Sequence, residues 1–258
     1  MLSDGNARLA AARRLTIRSA RRESGRFLAE GPSAVQAALA HPDTVVEVFA
    51  TAAALARHGW LRTTAVRVDE VSAAAAAALS ETVTPQGVVA VCRRLDVPLA
   101  DVLAGAPRLV AGLVEPRDPG NVGTILRTAD AAGADGVVVC GDAVDVYNGK
   151  AVRASAGSLF HVPVVAGIDV ADLRDTGLTT LATSGQGDTD LDTLVDDGSL
   201  AAPTLWLFGT EAHGLPDAAL KLADRTVRVP IYGRAESLNL AAAAAVCLYA
   251  SARAQRRR

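Results

Sequence analysis

Five polar side chains sit in three loops, far apart in the sequence, whose glycines leave the backbone bare for close approach. The first loop runs Asp118-Pro119-Gly120-Asn121-Val122-Gly123-Thr124-Ile125-Leu126-Arg127. Gly120 and Gly123 let another group come close to the chain. Asn121 is placed to cap the following helix, and Arg127 lies a little under two turns into it. The second, Phe208-Gly209-Thr210-Glu211-Ala212-His213-Gly214-Leu215-Pro216, holds a carboxylate between two glycines after an apolar run. There Gly209 permits a tight exit, Glu211 can accept hydrogen bonds, and His213 reads as structural or solvent-facing. The third, Val229-Pro230-Ile231-Tyr232-Gly233-Arg234-Ala235-Glu236-Ser237-Leu238-Asn239-Leu240, sets Ser237 and Asn239 on either side of a leucine at a helix entry. Alanines 241–245 follow and allow close packing. Taken one at a time, the loops also read as a helix cap with a surface arginine, a polar turn ending in proline, and a serine N-cap.

The loops matter because of the elements around them. From residue 109 onward, apolar runs alternate with helical stretches: strands at 109–114, 136–140, 162–165, 178–183, 204–208 and 226–229. Helices are expected at 121–132, 150–156, around 170–175, and from 238. The run Gly136-Val137-Val138-Val139 has no period of two, as expected for strands buried on both faces of a parallel sheet. Open sheets of this kind bind ligands at their strand ends, where the three loops lie.

Residues 1–95 alternate similarly and read as a separate, smaller α/β domain. A basic helix is expected at 2–22, and strands at 27–31, 45–50, 65–68 and 88–92. Helices are expected at 34–40, 52–58 and 71–79. The polar stretch 96–107 reads as a linker, with a short helix possible at 99–103. The third segment, 108–258, is the larger domain.

Composition narrows the functional classes. Half of the 258 residues are hydrophobic and only 3% are aromatic, so the core is built from Ala, Val and Leu. The formal net charge of −2 conceals a basic N-terminus. Seven arginines (Arg8, Arg13, Arg14, Arg18, Arg21, Arg22 and Arg26) precede Gly31 and face only Asp4, Glu23 and Glu30. Such a block suits RNA phosphates. The arginines at 253 and 256–258 read equally as solvated. Cys92, Cys140 and Cys247 are far apart in apolar runs, without metal-ligand spacing or a disulfide framework. No secretory signal or membrane span is legible, so the chain is expected in the cytoplasm.

The three loops, in this order, resemble the signature motifs of the SpoU (TrmH) RNA methyltransferases, part of the SPOUT class. The segment Lys150-Ala151-Val152-Arg153-Ala154-Ser155-Ala156-Gly157-Ser158 is similar to that family's inter-motif segment. Phe27-Leu28-Ala29-Glu30-Gly31-Pro32 is similar to the substrate-binding domain often fused to it, whose fold is like that of certain RNA-binding ribosomal proteins. Leu240-Ala241-Ala242 departs from the Val-Ser-Val common in relatives.

The resemblance implies a 2′-O-methyltransferase that moves a methyl group from S-adenosylmethionine to a ribose of structured RNA, most of all rRNA. A tRNA target and antibiotic-resistance methylation of large-subunit rRNA are the alternatives. It implies a deep trefoil knot, which topology rules would not anticipate, and a homodimer without a metal. It places the cofactor at Gly209, Val229 and Leu238 and the catalytic residues at Arg127, Asn121, Glu211, Ser237 and Asn239. RNA contacts are expected at Arg21, Arg22, Arg26, Lys150 and Arg153. A guanidinium stays protonated and is a poor base. Arg127 is therefore expected to hold a phosphate and the developing alkoxide, oriented by Glu211 and Asn121. Two other readings compete: an RNA-binding relative that has lost turnover, and a nucleotide-using metabolic enzyme. The second lacks a phosphate-loop signature.

Overall fold

Strand-forming runs and helical stretches alternate through the computed structural model, which describes residues 1–3, 5–41 and 43–256. In chain order the first elements are α1 (Ala7–Arg14), α2 (Arg18–Ser24), β1 (Arg26–Glu30), α3 (Pro32–Leu39), β2 (Val45–Ala50), α4 (Ala52–Arg57), β3 (Val68–Glu70), α5 (Ala73–Ala77) and β4 (Val88–Arg93). Then come α6 (Leu99–Ala104), β5 (Leu109–Val114), α7 (Pro119–Ala132), β6 (Gly136–Cys140), α8 (Gly149–Ala154), β7 (Val164–Ile168), β8 (Thr179–Thr183) and β9 (Thr189–Asp190). The last are α9 (Leu191–Asp196), β10 (Thr204–Phe208), α10 (Asp217–Leu222), β11 (Arg225–Arg228) and α11 (Leu240–Arg256). Contacts divide the chain into two units: residues 1–95 with 145–161, and 96–144 with the chain from 162 onward.

The first unit is a four-stranded sheet of order β1-β4-β2-β3, with β4 antiparallel to both neighbours and β3 parallel to β2. Residues 145–161, expected in the larger domain, complete its core. Tyr147 packs on Phe27 with ring centroids 4.6 Å apart, and its hydroxyl accepts from Leu95 N at 2.8 Å. The single basic helix expected at 2–22 is broken into α1 and α2. Arg21 explains the break: its Nη1 donates to the carbonyls of Leu15 and Thr16, which end α1 and form the link to α2. Its Nε meets Asp145 Oδ2 at 2.7 Å. Arg21 is 3% exposed, so its expected role as an RNA contact is corrected: it is a buried structural cation.

The second unit is a seven-stranded, all-parallel sheet of order β7-β6-β5-β10-β8-β11-β9. All five residues of β6 and of β10 are buried, because both faces are covered. Val102 of α6, Leu215 and Ala219 pack on the face that carries Val110, Val138 and Leu205. α7 and α11 pack on each other, and both lie against β5. The stretch 96–107, expected as a linker, belongs to this unit: Val97 N donates to Val164 O at 3.0 Å, and Val102 is in the core. Short elements β9, α9 and α10 escaped the sequence reading, since two to six residues carry too little periodicity.

No helix among the described residues is long and apolar enough to cross a membrane. The three cysteines are free and buried, and burial pushes the Cys140 and Cys247 thiols up to about 12. Of the C-terminal arginines, 257 and 258 lie outside the described residues.

Trp206 fills the centre of β10 with no exposure, and its indole N–H donates to Ser251 Oγ of α11 at 2.9 Å. Ser251→Ala orphans that buried donor. We expect a loss of about 1–3 kcal/mol in chemical denaturation, and a smaller cost for the same substitution when it is measured in a Trp206→Phe background, where the donor is already gone.

Candidate functional site

The parallel sheet brings the loops together. β5 and β10 are neighbours, with Leu113 beside Phe208, so both strands release their chains at the same edge. The strand order reverses there: β6 and β7 lie on one side of β5, and β10, β8, β11 and β9 on the other. Such a switch point opens a crevice beyond the strand ends. The loop after β5 leads into α7, and the loop after β10 carries Glu211.

Asp118, rather than the expected Asn121, caps α7: its Oδ1 accepts from Asn121 N at 2.9 Å, with Pro119 at the first turn. The Asn121 side chain is thereby available elsewhere, and its Nδ2 donates to Glu211 Oε1 at 3.0 Å. Asn239 Nδ2 donates to the same oxygen at 2.7 Å and to Asn121 Oδ1 at 3.2 Å, and Leu240 N adds a weaker contact at 3.3 Å. Asn239 Oδ1 accepts from Ala241 N and Ala242 N, so Asn239 caps α11 and Ser237 does not. Those two amide donors fix which way the Asn239 amide faces: its oxygen toward the helix, its nitrogen toward Glu211.

A cavity of about 810 Å³ opens beside this cluster. Its wall includes Gly209, Val229 and Leu238, the three residues expected to hold the cofactor, together with Glu211 and Ser237. Thr210 and Gly214 exchange backbone hydrogen bonds at 2.9 Å and close the loop after β10 into a tight clasp. Asn121 and Asn239 adjoin the cavity through Glu211. Arg127 is exposed on α7 and makes no hydrogen bond or ion pair with a described residue. The expectation that Glu211 and Asn121 orient it is corrected: they bind each other and Asn239.

Sequence reading missed part of the wall. Thr183 ends β8, Ser184 and Gly185 follow it, and all three line the cavity. A Cβ at Gly187 would lie 2.6 Å from the backbone of Val227, so that loop runs hard against β11. Its Ser-Gly-Gln-Gly pattern at a strand exit is the same signal that marked the other loops. Arg228 holds Asp190 through two bonds of 2.9 and 3.1 Å, which raises the guanidinium and lowers the carboxyl from their ordinary values. The Tyr232 hydroxyl donates to Asp192, which holds the phenol above its usual range. His213, read as structural or solvent-facing, is exposed and also lines the cavity.

The residues expected to contact RNA divide by environment. Arg22, Arg26 and Lys150 are exposed. Arg153 is engaged by Glu30 at 3.0 Å, because α8 lies against β1 in the first unit.

A Cβ at Gly209 would stand 2.2 Å from the carbonyl carbon and oxygen of Gly214. We expect Gly209→Ala to force the clasp open. Amide exchange at Thr210 and Gly214 should then accelerate about tenfold or more, with the protection of β5 and β6 unchanged.

The geometry matches known proteins along the whole chain. Residues 108–249 match the SpoU rRNA Methylase family, and residues 6–90 match the MRM3-like substrate binding domain. The 23S rRNA (guanosine(2553)-2'-O)-methyltransferase RlmP of Bacillus subtilis (strain 168) is 35% identical over 92% of each chain. The SpoU methyltransferase AviRb from Streptomyces viridochromogenes, solved with AdoMet, superposes with a TM-score of 0.84 at 33% identity over 96% of this chain and 98% of that one. An AdoMet-bound rRNA methyltransferase from Sinorhizobium meliloti superposes with a TM-score of 0.83 at 30% identity over 98% and 97%. A family match over residues 108–249, with relatives of 30–35% identity that cover nearly the whole chain, shows that the chain belongs to the SpoU rRNA methylase family.

Proposed function

We infer that this chain transfers a methyl group from S-adenosylmethionine to the 2′-hydroxyl of a ribose in rRNA, and that it does so in the cytoplasm. One observation carries the reading: Glu211 Oε1 gathers Asn121, Asn239 and Leu240 at the lip of a cavity walled by Gly209, Val229 and Leu238. The cavity fits the donor. Its volume of about 810 Å³ lies within the range of cofactor pockets, and its loops offer backbone groups and apolar side chains for an adenosyl group. Convergence of these loops also supports the knotted chain path expected for the family.

When bound, the donor supplies a methyl group already activated on a sulfonium. The protein must place the ribose oxygen in line with it and ease the loss of the hydroxyl proton. Gly209, Val229 and Leu238 position the donor. Arg127, unencumbered on α7, binds the RNA phosphate next to the target and stabilises negative charge on the oxygen. An RNA phosphate or water takes the proton, since the guanidinium cannot. Glu211, held at one oxygen, keeps Asn121 and Asn239 at fixed distances, and Ser237 on the cavity wall shapes the reaction centre. Arg22 and Arg26 supply phosphate contacts on the first unit.

Two copies of the chain are inferred to associate through α11. Its outer stripe exposes Val246 and Tyr249, the latter at 52%, and the preceding loop exposes Ile231 and Tyr232. Val246 and Tyr249, about one turn apart on the same helix face, suit an interface between identical helices.

Calorimetry should detect S-adenosylmethionine binding with one site per chain. Arg127→Ala should leave that affinity unchanged while slowing single-turnover methylation of a 23S rRNA transcript by about 10²–10³-fold. Full activity in this variant would remove Arg127 from the mechanism. Tyr249→Glu should shift the sedimentation coefficient from dimer to monomer.

A further inference from the structure

The first unit has a second cleft, which none of the chemistry above uses. It has a volume of about 360 Å³ and lies between the start of α3 and the segment joining α5 to β4. Its floor is the Glu30–Arg153 ion pair. Thr82 Oγ1 donates to Glu30 Oε1 at 2.9 Å, Ser80 Oγ donates to the same oxygen, and Thr82 N donates to Ser80 Oγ at 3.0 Å. At the other end of the segment Thr51 N donates to Gly87 O at 2.9 Å. The segment is therefore anchored at both ends. Between the anchors it turns its side chains outward: Val83 is 100% exposed, and Thr84 and Gln86 are exposed on the cleft wall. Ser33 faces them from the first turn of α3.

Core packing does not account for an anchored loop that presents a bare valine and two polar side chains. Preorganised groups of this kind bind a ligand at low entropic cost. The charge pattern selects the ligand. Glu30 and Arg153 neutralise each other, so the floor does not attract a phosphate. Ser33, Thr84 and the Gln86 amide each offer both a donor and an acceptor, which suits the mixed edge of a nucleobase. No aromatic side chain lines the cleft, so recognition falls to the base edge and not to stacking on its face. Gly31 has φ +92° and carries no side chain over the opening, where a Cβ would meet Gln86 Oε1 at 3.0 Å.

We propose that this cleft receives an unpaired nucleobase of the RNA substrate, away from the methylated ribose, and that Ser33, Thr84 and Gln86 read its edge. The proposal rests on the RNA-methyltransferase reading only for the identity of the ligand. The test uses the full chain with 23S rRNA transcripts containing 4-thiouridine or, separately, 6-thioguanosine. Ultraviolet cross-links in at least one transcript should map to residues 83–86. The double variant Thr84→Ala/Gln86→Ala should lose those cross-links and raise the KM for RNA on the order of tenfold. Its kcat, S-adenosylmethionine affinity and melting temperature should match the parent. Cross-links confined to other segments, or an unchanged KM, would overturn the cleft while leaving the methyltransferase reading intact. Cross-links at 83–86 in a chain that methylates no transcript would overturn the methyltransferase reading and leave the cleft standing.

Discussion

One carboxylate oxygen, Oε1 of Glu211, holds together segments that are 90 and 28 residues apart in the chain. Each hydrogen bond at this partly open site contributes only about 0.5–1.5 kcal/mol. The importance of the oxygen is therefore geometric. It can be reached from α7 and from α11 only because β5 and β10 lie side by side and parallel, and because both helices pack on the same sheet. The cluster converts a property of the sheet, the reversal of strand order, into fixed distances among side chains. Asn239 serves twice, as the cap of α11 and as a donor to Glu211. The helix cannot start one residue earlier without moving that donor.

Much of this was legible in the sequence. β2, β5, β6 and β10 fall where the runs of Val, Leu and Ala place them, and the residues chosen for the cofactor share one cavity. What could not be read were pairwise choices settled by three-dimensional contact. Asp118 and Asn121 are both good caps, and only the position of Glu211 decides which of them is used for capping. The basic run 2–22 looks continuous until Asp145, more than a hundred residues away, draws Arg21 inward. β9 was too short to show, although the glycines before it carried the same signal as the chosen loops.

The arginine block illustrates how a charge count overstates a surface. Arg8 is spent on Glu47 and Asp69, at 2.7 and 2.8 Å, and Arg21 on Asp145. Arg13, Arg14, Arg18, Arg22 and Arg26 remain exposed. The salt dependence of RNA binding reports the phosphates actually neutralised, so it follows these exposed residues and not the number of arginines in the sequence.

The first unit draws its core from two stretches separated by about fifty residues of the other unit. During synthesis the chain emerges at roughly 5–20 residues per second. Residues 1–95 leave the ribosome several seconds before Tyr147 and Phe160, which close around Phe27. The nascent N-terminal unit must therefore wait, its aromatic pocket open and Arg21 without Asp145, until β5 and β6 have been made.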